Sequence, residues 1–129
     1  MNFFERFFGG GVKVDDLHRR MARGEKFFLL DVRTPDEYRG PEGRIPGAVL
    51  VPLKEIKQRG VETIGDFSGE VVAICSHGLR SRVARLILIK QGLSPLSLSG
   101  GMKAWAQKGF ELIVEEGTER RCAPSAQRC

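Results

Sequence analysis

Val71-Val72-Ala73-Ile74 is followed at once by Cys75, and the run Cys75-Ser76-His77-Gly78-Leu79-Arg80-Ser81-Arg82 leads into apolar positions spaced as on a helix from Val83 to Ile89. Consecutive apolar residues of strand length read as a strand buried on both faces, which is the pattern of a parallel sheet. Cys75 then lies at the carboxyl end of that strand, where open α/β sheets carry their ligand crevice. Loop amides and the first turn of the following helix point at whatever the thiol attacks, a setting that favours an anion. The same N–H groups, with Arg80 and Arg82 near in sequence, favour the thiolate, the nucleophilic form. Gly78 allows backbone angles closed to other residues and a close approach by substrate. Burial alone suggests a plainer fate for Cys75, a small hydrophobe at a strand end. The glycine and arginine neighbours weigh for the nucleophile.

A chain of 129 residues is one domain's worth and can bury a single core without disulfides or metal. Its three cysteines are too scattered for a disulfide scaffold and agree with a reducing compartment. No apolar run nears the ~20 residues of a membrane-spanning helix. The start, Met1 to Phe8, lacks the basic, apolar and small-residue segments of a secretory signal, so a cytoplasmic location is expected. A net charge of +5 suits anionic substrates, but the basic residues are spread along the chain, and nucleic-acid binding is not expected.

In chain order, Phe3, Phe4, Phe7 and Phe8 would form one aromatic face before Gly9-Gly10-Gly11 breaks any helix. Residues 1–13 therefore read as a detachable arm that staples the core or makes a homodimer contact, in preference to lying on a membrane. Asp15 or Asp16 is expected to cap a helix through Arg23, with Leu17 and Met21 inward and His18 facing solvent without a role. Lys26 to Arg33 reads as a buried strand, and Thr34-Pro35-Asp36-Glu37 as a helix start with cap, proline and glutamate in their favoured places. Asp31 and Arg33 are expected to form a structural ion pair. Ala48 to Val51 reads as a short strand, Leu53 to Arg59 as a helix, and Val61 to Gly69 as a connector. Pro95 to Leu98 reads as a further strand, and Gly100-Gly101 as a second loop lining the crevice. Met102, Trp105 and Ala106 fit the core side of a last helix. The polar segment 115–129, with Cys122 and Cys129, reads as a mobile tail whose thiols are either incidental or within reach of Cys75.

From Val14 to Val114 the chain resembles the single-domain rhodanese family, sulfurtransferases that carry sulfane sulfur on a cysteine. The resemblance rests on Leu30-Asp31-Val32-Arg33 with Glu37, on Ile45-Pro46-Gly47-Ala48, on Cys75-Ser76-His77-Gly78-Leu79-Arg80-Ser81, and on Leu98-Ser99-Gly100-Gly101 leading to Trp105. It implies one rhodanese-like α/β domain over 14–114, with a central parallel sheet and helices on both faces. It also implies Cys75 as the sulfur-carrying nucleophile, with the amides of Ser76, His77, Gly78, Leu79 and Arg80 around the persulfide. Arg80 would contact a small anionic donor such as thiosulfate, and the acceptor would be cyanide or a thiol such as that of a small redox protein. No metal and no organic cofactor is implied. Ser76 stands where arginine or tyrosine is commoner in the family, and Arg44 where histidine is commoner.

Three other readings compete. A phosphatase or arsenate reductase on the same fold needs five residues between cysteine and arginine, whereas here that position is Ser81, with Arg80 one residue early and Arg82 one late. A non-catalytic recognition module of the same family commonly lacks the cysteine that this chain keeps. A metal site from Cys75, His77, Cys122 and Cys129 matches no standard zinc spacing.

Overall fold

The apolar run is strand Glu70–Ile74 in a computed structural model that describes residues 9–115 and the backbone of residues 120–122. Five strands, β1 (Gly11–Lys13), β2 (Phe27–Asp31), β3 (Val49–Leu50), β4 (Glu70–Ile74) and β5 (Leu96–Ser99), form one sheet in the order β1-β5-β4-β2-β3. Every pairing in it is parallel. The helices are α1 (Val14–Ala22), α2 (Pro35–Tyr38), α3 (Leu53–Arg59), α4 (Leu79–Lys90) and α5 (Gly101–Gln107), with a 3-10 turn at Gly60–Thr63 that overlaps the start of the expected connector.

Successive side chains of a strand point to opposite faces, so a strand apolar throughout needs cover on both. Val72 and Ile74 pack with Leu17 of α1 and Met102 and Trp105 of α5. Val71, Ala73 and Cys75 pack with Ile56 of α3 and Ala84 and Leu88 of α4. The molecule is thus the expected parallel α/β sheet with helices on both faces.

Strand order also decides where the crevice falls. From β2 the chain steps outward to β3, and from β4 it steps the other way to β5. The segments leaving β2 and β4 diverge, which opens a crevice at their carboxyl ends. Asp31 pairs in register with Ile74, the residue before Cys75. The segment after β2 turns sharply because Thr34 caps α2: Glu37 N donates to Thr34 Oγ1 at 3.2 Å, and Thr34 N donates to Glu37 Oε1 at 3.0 Å. Just before it, the expected ion pair is present and fully buried. Arg33 Nε and Nη2 donate to Asp31 Oδ1 and Oδ2 at 2.9 and 2.8 Å, and Nη2 also reaches the Gly43 carbonyl at 2.9 Å.

Four local expectations are corrected. Gly11–Lys13, read as part of the arm, is a strand along β5 with Val12 buried, because the free edge of β5 offers unpaired backbone groups to the chain beside it. The N-cap of α1 is Lys13, with no side-chain cap, and Asp15 and Asp16 sit in the first turn, where carboxylates offset the helix dipole. His18 is exposed as expected, yet its ring stacks on Phe110 at 3.9 Å between centroids and meets the Trp105 ring edge-on at 5.8 Å, so it has a packing role. Arg120–Cys122, read as part of a mobile tail, is strand β7, antiparallel to β6 (Glu111–Ile113), with Cys122 opposite Glu111.

The Phe-rich segment 1–8, with its proposed dimer contact, lies outside the described residues, as does Cys129. Among the described residues no helix is long and apolar enough to cross a membrane.

Candidate active site

Cys75 follows β4 directly and is 1% exposed. Its Sγ accepts hydrogen bonds from the amides of Gly78 at 3.0 Å and Ser81 at 3.4 Å. Gly78 is the N-cap of α4 at φ 101°, a left-handed conformation that costs glycine little and folds the loop back over the sulfur. Two hydroxyls complete the surroundings. Ser81 Oγ lies 3.6 Å from Sγ and donates to the Gly78 carbonyl at 3.0 Å, while Ser97 Oγ, reaching in from β5, lies 2.7 Å from it. Both serines are buried. Sequence reading assigned neither a part in the site; a small polar residue at a core position of each element was the available signal.

The loop is gripped from two sides. On the inner side, the first amides of α5 donate to it: Met102 N to the Cys75 carbonyl at 2.8 Å and Lys103 N to the Ser76 carbonyl at 3.0 Å. Gly101, at φ 57°, lies so close that a Cβ there would collide with both carbonyl oxygens. The Gly100-Gly101 turn therefore does lie against the cysteine loop, and the contact is a backbone clamp.

On the outer side stands Glu37 of α2. Arg80 Nη1 and Nη2 reach Glu37 Oε1 and Oε2 at 2.7 and 2.9 Å, and Ser76 Oγ donates to Oε2 at 3.0 Å. Arg80 Nη2 also contacts Ser76 Oγ at 3.2 Å, which closes a triangle of three side chains. The Arg80 guanidinium, helped by Thr34 and Ser76, holds the Glu37 carboxyl far below the usual carboxylate range against the opposing effect of burial. In return Glu37 raises the pKa of Arg80.

Of the loop residues singled out from sequence, Gly78 thus supplies an amide to the sulfur, and Ser76 and Arg80 turn their side chains to Glu37. His77 and Leu79 face solvent, Leu79 with 60% of its surface exposed. A separate shallow cleft of about 200 Å³, lined by His18, Met21, Ala22, Pro46, Trp105 and Glu111, includes none of these residues. Chemically, a sulfur that accepts from two amides at a helix start is placed to act as a nucleophile and to hold a second, negatively charged sulfur.

The model of the rhodanese-like domain matches residues 13–108. The chain is 38% identical over 107 residues to a sulfurtransferase of Allochromatium vinosum, covering 82% of this chain and 96% of that protein. It is 34% identical over 74 residues to the thiosulfate sulfurtransferase PspE of Escherichia coli, covering 57% of this chain and 69% of that one. Among solved structures it is similar to a rhodanese-related protein of Thermoplasma volcanium, with a TM-score of 0.71 and 27% identity over 81% of this chain and 98% of the other.

Proposed function

The chain belongs to the rhodanese-like domain family, and we propose that it moves sulfane sulfur from thiosulfate or a related small donor, through a persulfide on Cys75, to a thiol or to cyanide. The observation that supports this most is the Cys75 sulfur, buried at the carboxyl end of β4 with the Gly78 and Ser81 amides turned on it. The Cys75 thiolate attacks the outer sulfur of thiosulfate, the S–S bond breaks, and sulfite leaves with the bonding pair. The loop Ser76, His77, Gly78, Leu79 and Arg80 then surrounds the new outer sulfur. An acceptor thiolate attacks that sulfur in turn, and Cys75 regains its thiolate. Two half-reactions of this kind give ping-pong kinetics. A thiol on a small redox protein is the proposed cellular acceptor, and a cytoplasmic location fits a nucleophile that must stay reduced.

Mass spectrometry after incubation with thiosulfate is expected to show one added sulfur on the wild type and none on Cys75→Ser. Thiosulfate:cyanide turnover is expected to fall ~10³-fold or more in that variant, since the nucleophile is gone. Turnover kept by Cys75→Ser would rule out Cys75 as the sulfur carrier, and no sulfur taken up from any sulfane donor by the wild type would leave the non-catalytic recognition module as the better reading.

A further inference from the structure

The side chain expected to meet an anionic donor is already engaged. Both terminal nitrogens of Arg80 face the two oxygens of Glu37, at 2.7 and 2.9 Å, and the nearby Ser76 hydroxyl donates to the same carboxylate. A guanidinium matches one planar carboxylate in this fashion, and a sulfonate seeking the same fork must displace it. The pair also has no net charge, so Arg80 offers the donor no free cation. What remains for the donor is the set of backbone amides at the start of α4, two of which face Sγ.

Resting on the sulfurtransferase reading above, we infer that Glu37 is a specificity-determining positioning residue: by holding Arg80 it tunes the site toward a persulfide donor of low charge and away from a dianion such as thiosulfate. With a persulfide R–S–S–H, the Cys75 thiolate attacks the outer sulfur and the R–S bond to it breaks. R–S⁻ departs with the electron pair, and Cys75–S–S–H keeps the proton. Nothing is oxidised or reduced in sum, and one negative charge is carried throughout. With thiosulfate the encounter gathers three negative charges, two of them on the donor. A dianion gains from a free guanidinium and loses when a carboxylate neutralises it, whereas a neutral donor is nearly indifferent.

The test compares kcat/KM for thiosulfate and for the persulfide of 2-mercaptoethanol, with cyanide as acceptor. Glu37→Gln keeps the size of the side chain and one carbonyl oxygen, which can still accept from Thr34 N, turns an amide donor toward Ser76 Oγ, and releases the charge of Arg80. The expected result is a rise of ~10-fold in the thiosulfate-to-persulfide ratio, about the effect of one released charge pair near a surface. Glu37→Asp, which keeps the carboxylate, should stay near the wild-type ratio. In an Arg80→Ala background, Glu37→Gln should no longer raise the ratio. An unchanged or lowered ratio in Glu37→Gln, or a rise that persists without Arg80, would overturn the inference. The wild type gives a check that needs no variant: sulfate, an unreactive dianion, should not inhibit persulfide turnover at millimolar concentration, and competitive inhibition there would also overturn it. If neither donor leaves sulfur on Cys75, the sulfurtransferase reading fails, which is a different outcome from a misjudged donor.

Discussion

Two arginine–carboxylate forks stand a few residues apart at the end of β2, and they differ in almost everything but chemistry. Asp31 and Arg33 are two positions apart in sequence and wholly buried. Glu37 and Arg80 are 43 positions apart and about one third exposed. A buried pair gains much Coulomb energy and loses as much in desolvation, so its net worth is small but the cost of halving it is large. A half-exposed pair is worth little to the fold in either direction. The first fork shapes the turn beneath the 40–48 segment through the Gly43 carbonyl, and the second adjusts a loop that must meet another molecule. Burial, more than charge, separates an ion pair of the fold from one of the site.

Breaking the two forks in turn should expose that contrast. Arg33→Ala strands a buried carboxylate and is expected to cost ~3–5 kcal/mol in urea unfolding, with sulfur transfer per folded molecule retained. Glu37→Gln should cost less than about 1 kcal/mol in the same experiment while changing the choice of donor. Similar losses from both would refute the division between them.

Gly101→Ala attacks the loop from its other side: an alanine at φ 57° whose Cβ meets the Cys75 and Ser76 carbonyls should destabilise by ~1–3 kcal/mol and slow thiolate alkylation at Cys75. A variant with wild-type stability and alkylation rate would show that this clamp is dispensable.

The smallest effect expected is with pH. Because the folded-state pKa of Glu37 is depressed, its stabilising contribution is whole above the unfolded carboxyl value of about 4.3 and is lost only as pH falls through the lower folded value. The ratio of persulfide to thiosulfate turnover, corrected for each donor's own ionisation, should therefore stay flat from about pH 8 to 5. A step centred at about pH 4.3, just below that window, would mean that Glu37 titrates free of Arg80.

Much of this was legible in the chain. Val71–Ile74 with Cys75, Gly78 and the helical spacing beyond them placed the cysteine at a strand end before a helix, and the Thr34-to-Glu37 pattern located a capped turn, because strand burial and capping are written in neighbouring residues. The Asp31–Arg33 pair was equally local. The partnership of Glu37 with Arg80 and Ser76 was not legible, since it exists only once β2 and β4 lie side by side. Glu37 looked complete as a cap, and although it belongs to a motif of the resemblance, nothing in its own segment pointed to Arg80 or Ser76. Gly11–Lys13 and Arg120–Cys122 escaped for a related reason. Three-residue strands carry no periodicity, and both are recruited by an edge that another part of the chain supplies.

The clamp of α5 on the Cys75 and Ser76 carbonyls also bears on time. A loop tied through its carbonyls on one side and through Ser76 and Arg80 on the other has no slack to take up or release as sulfur comes and goes. Donor and acceptor then meet the same rigid outline, and the entropy of arranging the amides around the sulfur is settled when the chain folds, not once per turnover. If the proposed sulfur transfer holds, the cycle waits on no rearrangement of this loop, and its pace is left to encounter and to the exchange of sulfur–sulfur bonds.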